Sequence, residues 1–151
     1  SMQLKSFIEV EVVGKDDDLL EIKVIACNGR YLGTTQVYDN RDSLRNFVQQ
    51  LIDFPKSIDH IIYYEAGKRA GYSFLALKFY CTDSAGHAAV KVEMEENTAM
   101  QSGTEQDMIR LEFHFEPNDL IAFQKEFKKI ITEGEGQATL NGIEKYTYNR
   151  T

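Results

Sequence analysis

Alternation with period two runs through most of the chain. From Phe7 to Val13, Ile8, Val10 and Val12 fall on one side and Glu9 and Glu11 on the other, the pattern of a strand with one wet face. After the polar turn from Gly14 to Asp18, Leu20, Ile22, Val24 and Ala26 repeat it against Glu21 and Lys23. Asn28-Gly29 follows, the pair best able to take the positive φ angles of a two-residue type I′ turn. A third strand from Arg30 to about Tyr38 completes an antiparallel meander.

The period then changes. Leu44, Phe47, Val48 and Leu51 recur at helical spacing, with Ile52 broadening the stripe. Asp42 or a nearby Asp or Asn caps the start, and Pro55 ends the helix at about Asp53 or Phe54, because the residue before proline avoids the helical region. His60 to Glu65 reads as a short strand whose buried face the uniform run of Ile and Tyr leaves open. Gly67 to Gly71 turns into the central hairpin, Tyr72 to Glu95, folded about Asp83-Ser84-Ala85-Gly86. Its first half, with Phe74, Leu75, Ala76, Leu77, Phe79 and Tyr80, is apolar enough to be covered on both faces. In its second half Ala88, Val90, Val92 and Met94 oppose Lys91, Glu93 and Glu95. Glu96 to Asp107 is polar and reads as a mobile loop. Ile109, Leu111, Phe113 and Phe115 then alternate with Arg110, Glu112, His114 and Glu116.

A second helix opens near Asn118 as cap, carries Leu120, Phe123, Phe127, Ile130 and Ile131 as its apolar stripe, and stops before Gly134. Gln137 to Leu140 adds a short edge strand, and Glu144 to Thr151 reads as a frayed tail. The order βββα-ββββα predicts an α+β fold, most simply one twisted antiparallel sheet of about seven strands with both helices on one face.

The 151 residues fit a single domain, and Ser1 ahead of Met2 reads as a remnant of an expression tag. No apolar run approaches the ~20 residues of a membrane helix. Cys27 and Cys81 stand in apolar strands without CxxC spacing, as reduced, buried thiols of a cytoplasmic protein do. The net charge of −7 argues against nucleic acid as partner, which needs clustered Lys and Arg, and suits a basic protein partner. His60, His87 and His114 lack metal-ligand spacing, and no nucleophile, phosphate-loop or dinucleotide motif is present. Neither metal nor cofactor is expected. His87, just after Gly86, is placed to hydrogen-bond Asp83 across the turn.

GHAAVKVEM after a strand and an Asp-containing turn, the helix SLRNFVQQLIDFP and the segment IRLEFHFEPNDLIAFQKEF together resemble the WapI-type immunity proteins of bacterial polymorphic toxin systems and their uncharacterised relatives. The matching positions are Asp83, Gly86, His87, Val90, Val92, Glu116, Leu120 and Phe123, within roughly Asp42 to Ile131. Unlike many relatives the chain has no Trp. The resemblance implies a cytoplasmic, non-enzymatic antidote that binds and neutralises a cognate toxin domain. Many such toxins are nucleases, which tend to be basic.

The family pattern marks architecture and no contact residue, so the docking surface is read from the outward carboxylates. Glu9, Glu11 and Glu21 form one group and Glu93, Glu95, Glu112 and Glu116 the other, and one of them is expected to meet lysines and arginines of the partner. The alternative is a small-molecule-binding or enzymatic domain with a pocket between sheet and helices, lined by Tyr hydroxyls or His87. A packed interior beneath an acidic exposed face would favour the first.

Overall fold

The computed structural model describes residues 2–3, 5–70, 72–96, 106–144 and 147–148, with the backbone alone at 2–3 and 147–148. In chain order the elements are β1 (Met2–Gln3), β2 (Ser6–Asp16), β3 (Leu19–Asn28), β4 (Leu32–Asn40), α1 (Arg41–Gln50), β5 (Ile62–Gly67), β6 (Phe74–Cys81), β7 (Ala88–Glu95), β8 (Met108–Phe115), α2 (Pro117–Glu133), β9 (Gly136–Asn141) and β10 (Thr147–Tyr148). The fold is α+β, with antiparallel strands and two helices in the anticipated order. The strands divide between two four-stranded sheets, β4-β3-β2-β9 and β5-β6-β7-β8, and a short β1–β10 pair, in place of one continuous sheet. Alternation specifies which face of a strand is buried and leaves open which strand lies beside it. The short strand anticipated at Gln137 to Leu140 returns to pair with β2, with Ile8 opposite Leu140 and Val10 opposite Ala138.

Several local details follow from side chains the pattern did not weigh. The second meander turn spans Asn28 to Tyr31, since Cys27 pairs with Leu32. Asn28 Oδ1 accepts from the backbone N–H of both Arg30 and Tyr31, at 3.0 and 2.8 Å, and this Asx arrangement replaces the shorter two-residue turn. Asn40 caps α1, its Oδ1 accepting from the Ser43 N–H at 2.7 Å. At α2 the N-cap residue is Glu116, with Pro117 at the first helical position and no side-chain cap. Asn118 therefore lies inside the first turn, because proline starts the helix ahead of it and has no N–H to satisfy. Gly134 ends α2 in the left-handed conformation, φ 69°, and donates to Ile130 O.

Of the segment anticipated as a mobile loop, Glu96 to Asp107, positions 97–105 lie outside the described residues, and Glu96 N–H donates to Asp107 O at 2.9 Å across its base. In the segment anticipated as a frayed tail, Thr147 pairs with Gln3 and Tyr148 with Met2. Positions 145–146 and 149–151, like Ser1, lie outside the described residues.

The inner faces of both sheets and the apolar stripes of both helices form one core. Phe47 of α1 is its junction: its ring stacks on Tyr64 of β5 at 4.4 Å between centroids and meets Phe79 of β6 and Phe127 of α2 at 6.0 Å each. Phe54 extends the cluster to Phe79 and Phe115. The Tyr64 hydroxyl, buried with its ring, donates to Asp39 Oδ2 at 2.8 Å, which also accepts from Ser43 Oγ. β4 crosses the ends of β5, β6 and β7. The approach needs a glycine at position 33, since a Cβ there would stand 2.6 Å from Ile109 Cγ2, and Thr35 Oγ1 donates to Glu95 O beside it.

Two further contacts close the assembly. The Arg41 backbone N–H donates to Asp18 O at 2.9 Å in the β2–β3 turn, and its guanidinium donates to Ile131 O at 2.8 Å and Thr132 O at 3.3 Å at the end of α2. Those carbonyls have no partner within the helix, and a cation there also meets the negative end of its dipole. On the sheet edges, Thr139 N–H of β9 donates to Glu126 Oε1 of α2 at 3.1 Å, and Ile143 N–H donates to His114 O of β8 at 2.7 Å. Replacing Arg41 by Met keeps its stem and its backbone bond and removes the two guanidinium bonds to the α2 carbonyls, and about 1–3 kcal/mol of stability should go with them. A urea unfolding midpoint that falls at unchanged slope shows the loss, whereas an unchanged midpoint would mean that the α2 terminus does not depend on Arg41.

Candidate functional site

Both helices pack by their apolar stripes against the core, and the two groups of candidate carboxylates lie on the outer faces of different sheets. On the β5–β8 sheet, Glu93, Glu95 and Glu112 face outward by strand parity. Arg69, in the turn between β5 and β6, then folds over the sheet. Its Nη1 lies 2.6 Å from Glu93 Oε2 and 2.7 Å from Glu95 Oε2, and its guanidinium covers the Phe74 ring at 4.0 Å. Glu95 also accepts from the Ala70 N–H and is only 5% exposed, so a docking protein would have to lift Arg69 to reach it. Glu93 is half-buried and takes a second cation, Arg110 Nε, at 3.5 Å. The Arg69 hydrogen bond holds the Glu93 carboxyl below its ordinary range.

Glu112 accepts from the Tyr80 hydroxyl at 2.6 Å. Burial, followed by that bond, pushes the Tyr80 phenol up to about 12. Glu116 is exposed and belongs to the start of α2, away from the sheet register. The four carboxylates do not form one acidic patch: one is buried, one is doubly paired, one holds a phenol and one stands at a helix end.

The outer face of the β2–β3–β4 meander differs. Glu9, Glu11 and Glu21 are half-exposed there, and Glu11 accepts from Gln137 Nε2 at 2.7 Å. Among the described residues none of the three is ion-paired to Lys or Arg. Tyr38, 61% exposed, stands opposite Glu21 in the register with Leu32, 60% exposed, on the same strand face. The hydrogen bond to Glu21 raises the Tyr38 phenol above its ordinary value.

The space between helices and sheets, anticipated in the alternative reading as a pocket, is filled by the phenylalanine cluster. A groove of about 720 Å³ opens instead on the outer face of the β5–β8 sheet, where Tyr63, Lys78, Lys91, Arg110 and His114 face Asn28 and Tyr31 from the other sheet. Tyr31 and Tyr63 are among the tyrosines whose hydroxyls the alternative reading offered to a pocket; Lys78, Lys91, Arg110 and Asn28 carried no sequence signal, because they come together only through strand register and the meeting of the two sheets.

The histidines are dispersed. His60 Nδ1 accepts from the Lys56 N–H at 3.0 Å and its ring packs on Phe54, while His114 lines the groove. No group of three or more His, Cys, Asp or Glu is arranged to hold a metal among the described residues. Cys27 and Cys81 are free and half-buried, not fully enclosed. No described helix is long and apolar enough to cross a membrane.

His87 Nδ1 meets Asp83 Oδ2 at 2.6 Å, and the same carboxylate accepts from the backbone N–H of Ala85 and His87. This bond raises the His87 imidazole above its ordinary value and lowers the Asp83 carboxyl. For the histidine the stabilisation is full below its unfolded pKa and is lost as pH rises through the raised folded value. For the aspartate it is present above its unfolded pKa and lost as pH falls through the depressed one. An NMR titration should place His87 above 6.5, and Asp83→Asn should bring it back towards that value; an unmoved midpoint would assign the rise to another group.

No protein-family model, curated protein or solved structure matches the chain.

Proposed function

We propose that this chain is a non-enzymatic interaction protein of the immunity kind, which binds and neutralises a basic toxin domain in the cytoplasm through the outer face of β2, β3 and β4. The observation that carries the choice of face is the contrast in compensation. Glu93 and Glu95 spend their charge on Arg69 and Arg110, whereas Glu9, Glu11 and Glu21 stand without a paired cation on a face no helix covers. Unpaired carboxylates on a broad surface steer a basic partner and raise its on-rate. Tyr38 and Leu32 supply the apolar anchors that such interfaces use at their centre. The net charge of −7 and the resemblance to WapI-type immunity proteins support the same reading, and the filled interior leaves the alternative no pocket beneath the helices.

The test begins with the protein encoded immediately beside this one. Co-expression should give a stable complex on pull-down and rescue growth from the neighbour's toxicity; failure of both, with the neighbour folded and expressed, overturns the immunity reading. In the purified pair, the triple change Glu9→Lys, Glu11→Lys, Glu21→Lys should cut the association rate by about tenfold or more and flatten its dependence on salt. Changing Glu116 to Lys should do neither. A triple variant that melts like the parent and associates at the parental rate would leave the complex intact but place its contact elsewhere.

A further inference from the structure

We propose that the groove on the outer face of the β5–β8 sheet binds a small dianionic molecule, its anionic group between Lys78 and Lys91 and a hydrogen-bonding group of the ligand at Ser6 Oγ. The inference is independent of the docking reading, which uses the other sheet. Lys78 and Lys91 are register partners in neighbouring strands, and like charges directly opposite each other destabilise a sheet. Neither is ion-paired among the described residues; each lies over the Tyr80 ring, at 5.8 and 5.3 Å from its centroid, and Glu112, the register partner of Lys91 on its other side, accepts from the Tyr80 hydroxyl. A dianion lying across both ammonium groups turns that repulsion into attraction.

The second observation comes from the opposite wall. Ser6 lines the same groove and is only 3% exposed, and its hydroxyl is the one buried side-chain polar atom without a hydrogen-bond partner among the described residues. A buried hydroxyl left unpaired costs stability, and a ligand group seated beside it would remove the cost.

The surrounding charges are compatible with an anion despite the acidic whole. The lining carries Lys78, Lys91 and Arg110 against Glu93 and Glu112, and both carboxylates are engaged, by Arg69 and by Tyr80. A volume of about 720 Å³ falls in the range of sites for small molecules. Tyr31 and Tyr63, both more than half exposed in that groove, present ring surface for the rest of the ligand. Phosphate monoesters and dicarboxylates share the required dianion.

Titration of the full chain with phenyl phosphate, followed by amide NMR shifts, tests the proposal, with malonate and benzenesulfonate as the dicarboxylate and monoanion arms. Saturable shifts at Ser6, Asn28, Lys78 and Lys91 are expected with phenyl phosphate. Matching shifts with malonate would define the ligand by charge, and their absence would define it by phosphate. The double variant Lys78→Gln, Lys91→Gln should weaken binding by about tenfold or more. Without ligand it should melt close to the parent, because removal of the repulsive pair offsets the loss of the two contacts with the Tyr80 ring. Ser6→Ala should also weaken binding without loss of unliganded stability. Shifts that do not saturate, that survive the double variant, or that are as strong with benzenesulfonate overturn the site. So would the absence of shifts with both dianions together with loss of neighbour capture in the double variant, which would make the groove a protein contact.

Discussion

The structure depends on one aromatic junction. Phe47 touches Tyr64 and Phe79 of one sheet and Phe127 of the other helix, so α1 holds the β5–β8 sheet and α2 together, while α2 packs along β9 of the second sheet. The inner faces of two sheets need a shared filling, and two helices with apolar stripes provide it. β6, buried on both parities from Phe74 to Leu77, is covered on its outer side as well. Arg41 reinforces the junction by joining the β2–β3 turn and the start of α1 to the carbonyls that end α2.

That arrangement determines where function can reside. Both helices turn only their apolar stripes to the core and keep an exposed polar side, and the outer strand faces of the two sheets carry different chemistry. The meander presents carboxylates without paired cations, beside Tyr38 and Leu32. The hairpin sheet presents an internally balanced network with two neighbouring lysines, neither in an ion pair among the described residues, at its centre. A large partner recognising charge and a small anion recognising a recess would each find a different side of the molecule.

Much of this organisation was legible in the amino-acid order. The alternation of Ile109, Leu111, Phe113 and Phe115 with charged neighbours defined β8, and the stripe from Leu120 to Ile131 defined α2, since burial on one face imposes a period. The division into two sheets was not legible, because β9 reaches back across more than a hundred residues to β2 and no local pattern encodes that pairing. Glu95 illustrates a second limit of periodicity: its parity points it outward, yet Arg69, distant in sequence, folds over it and leaves it buried. The juxtaposition of Lys78 and Lys91 required the register of the central hairpin. Ser6 required the overlap of one sheet with the edge of the other.

The treatment of the sheet edges has its own consequence. Glu126 accepts from the N–H of Thr139 on β9, Ile143 N–H donates to His114 O on β8, and β4 packs against β5, β6 and β7 of the other sheet. Unpaired edge backbone is the template on which chains add strands to one another and aggregate. Each of these edge contacts occupies part of that template, so the positions where another strand could add are narrowed on these edges.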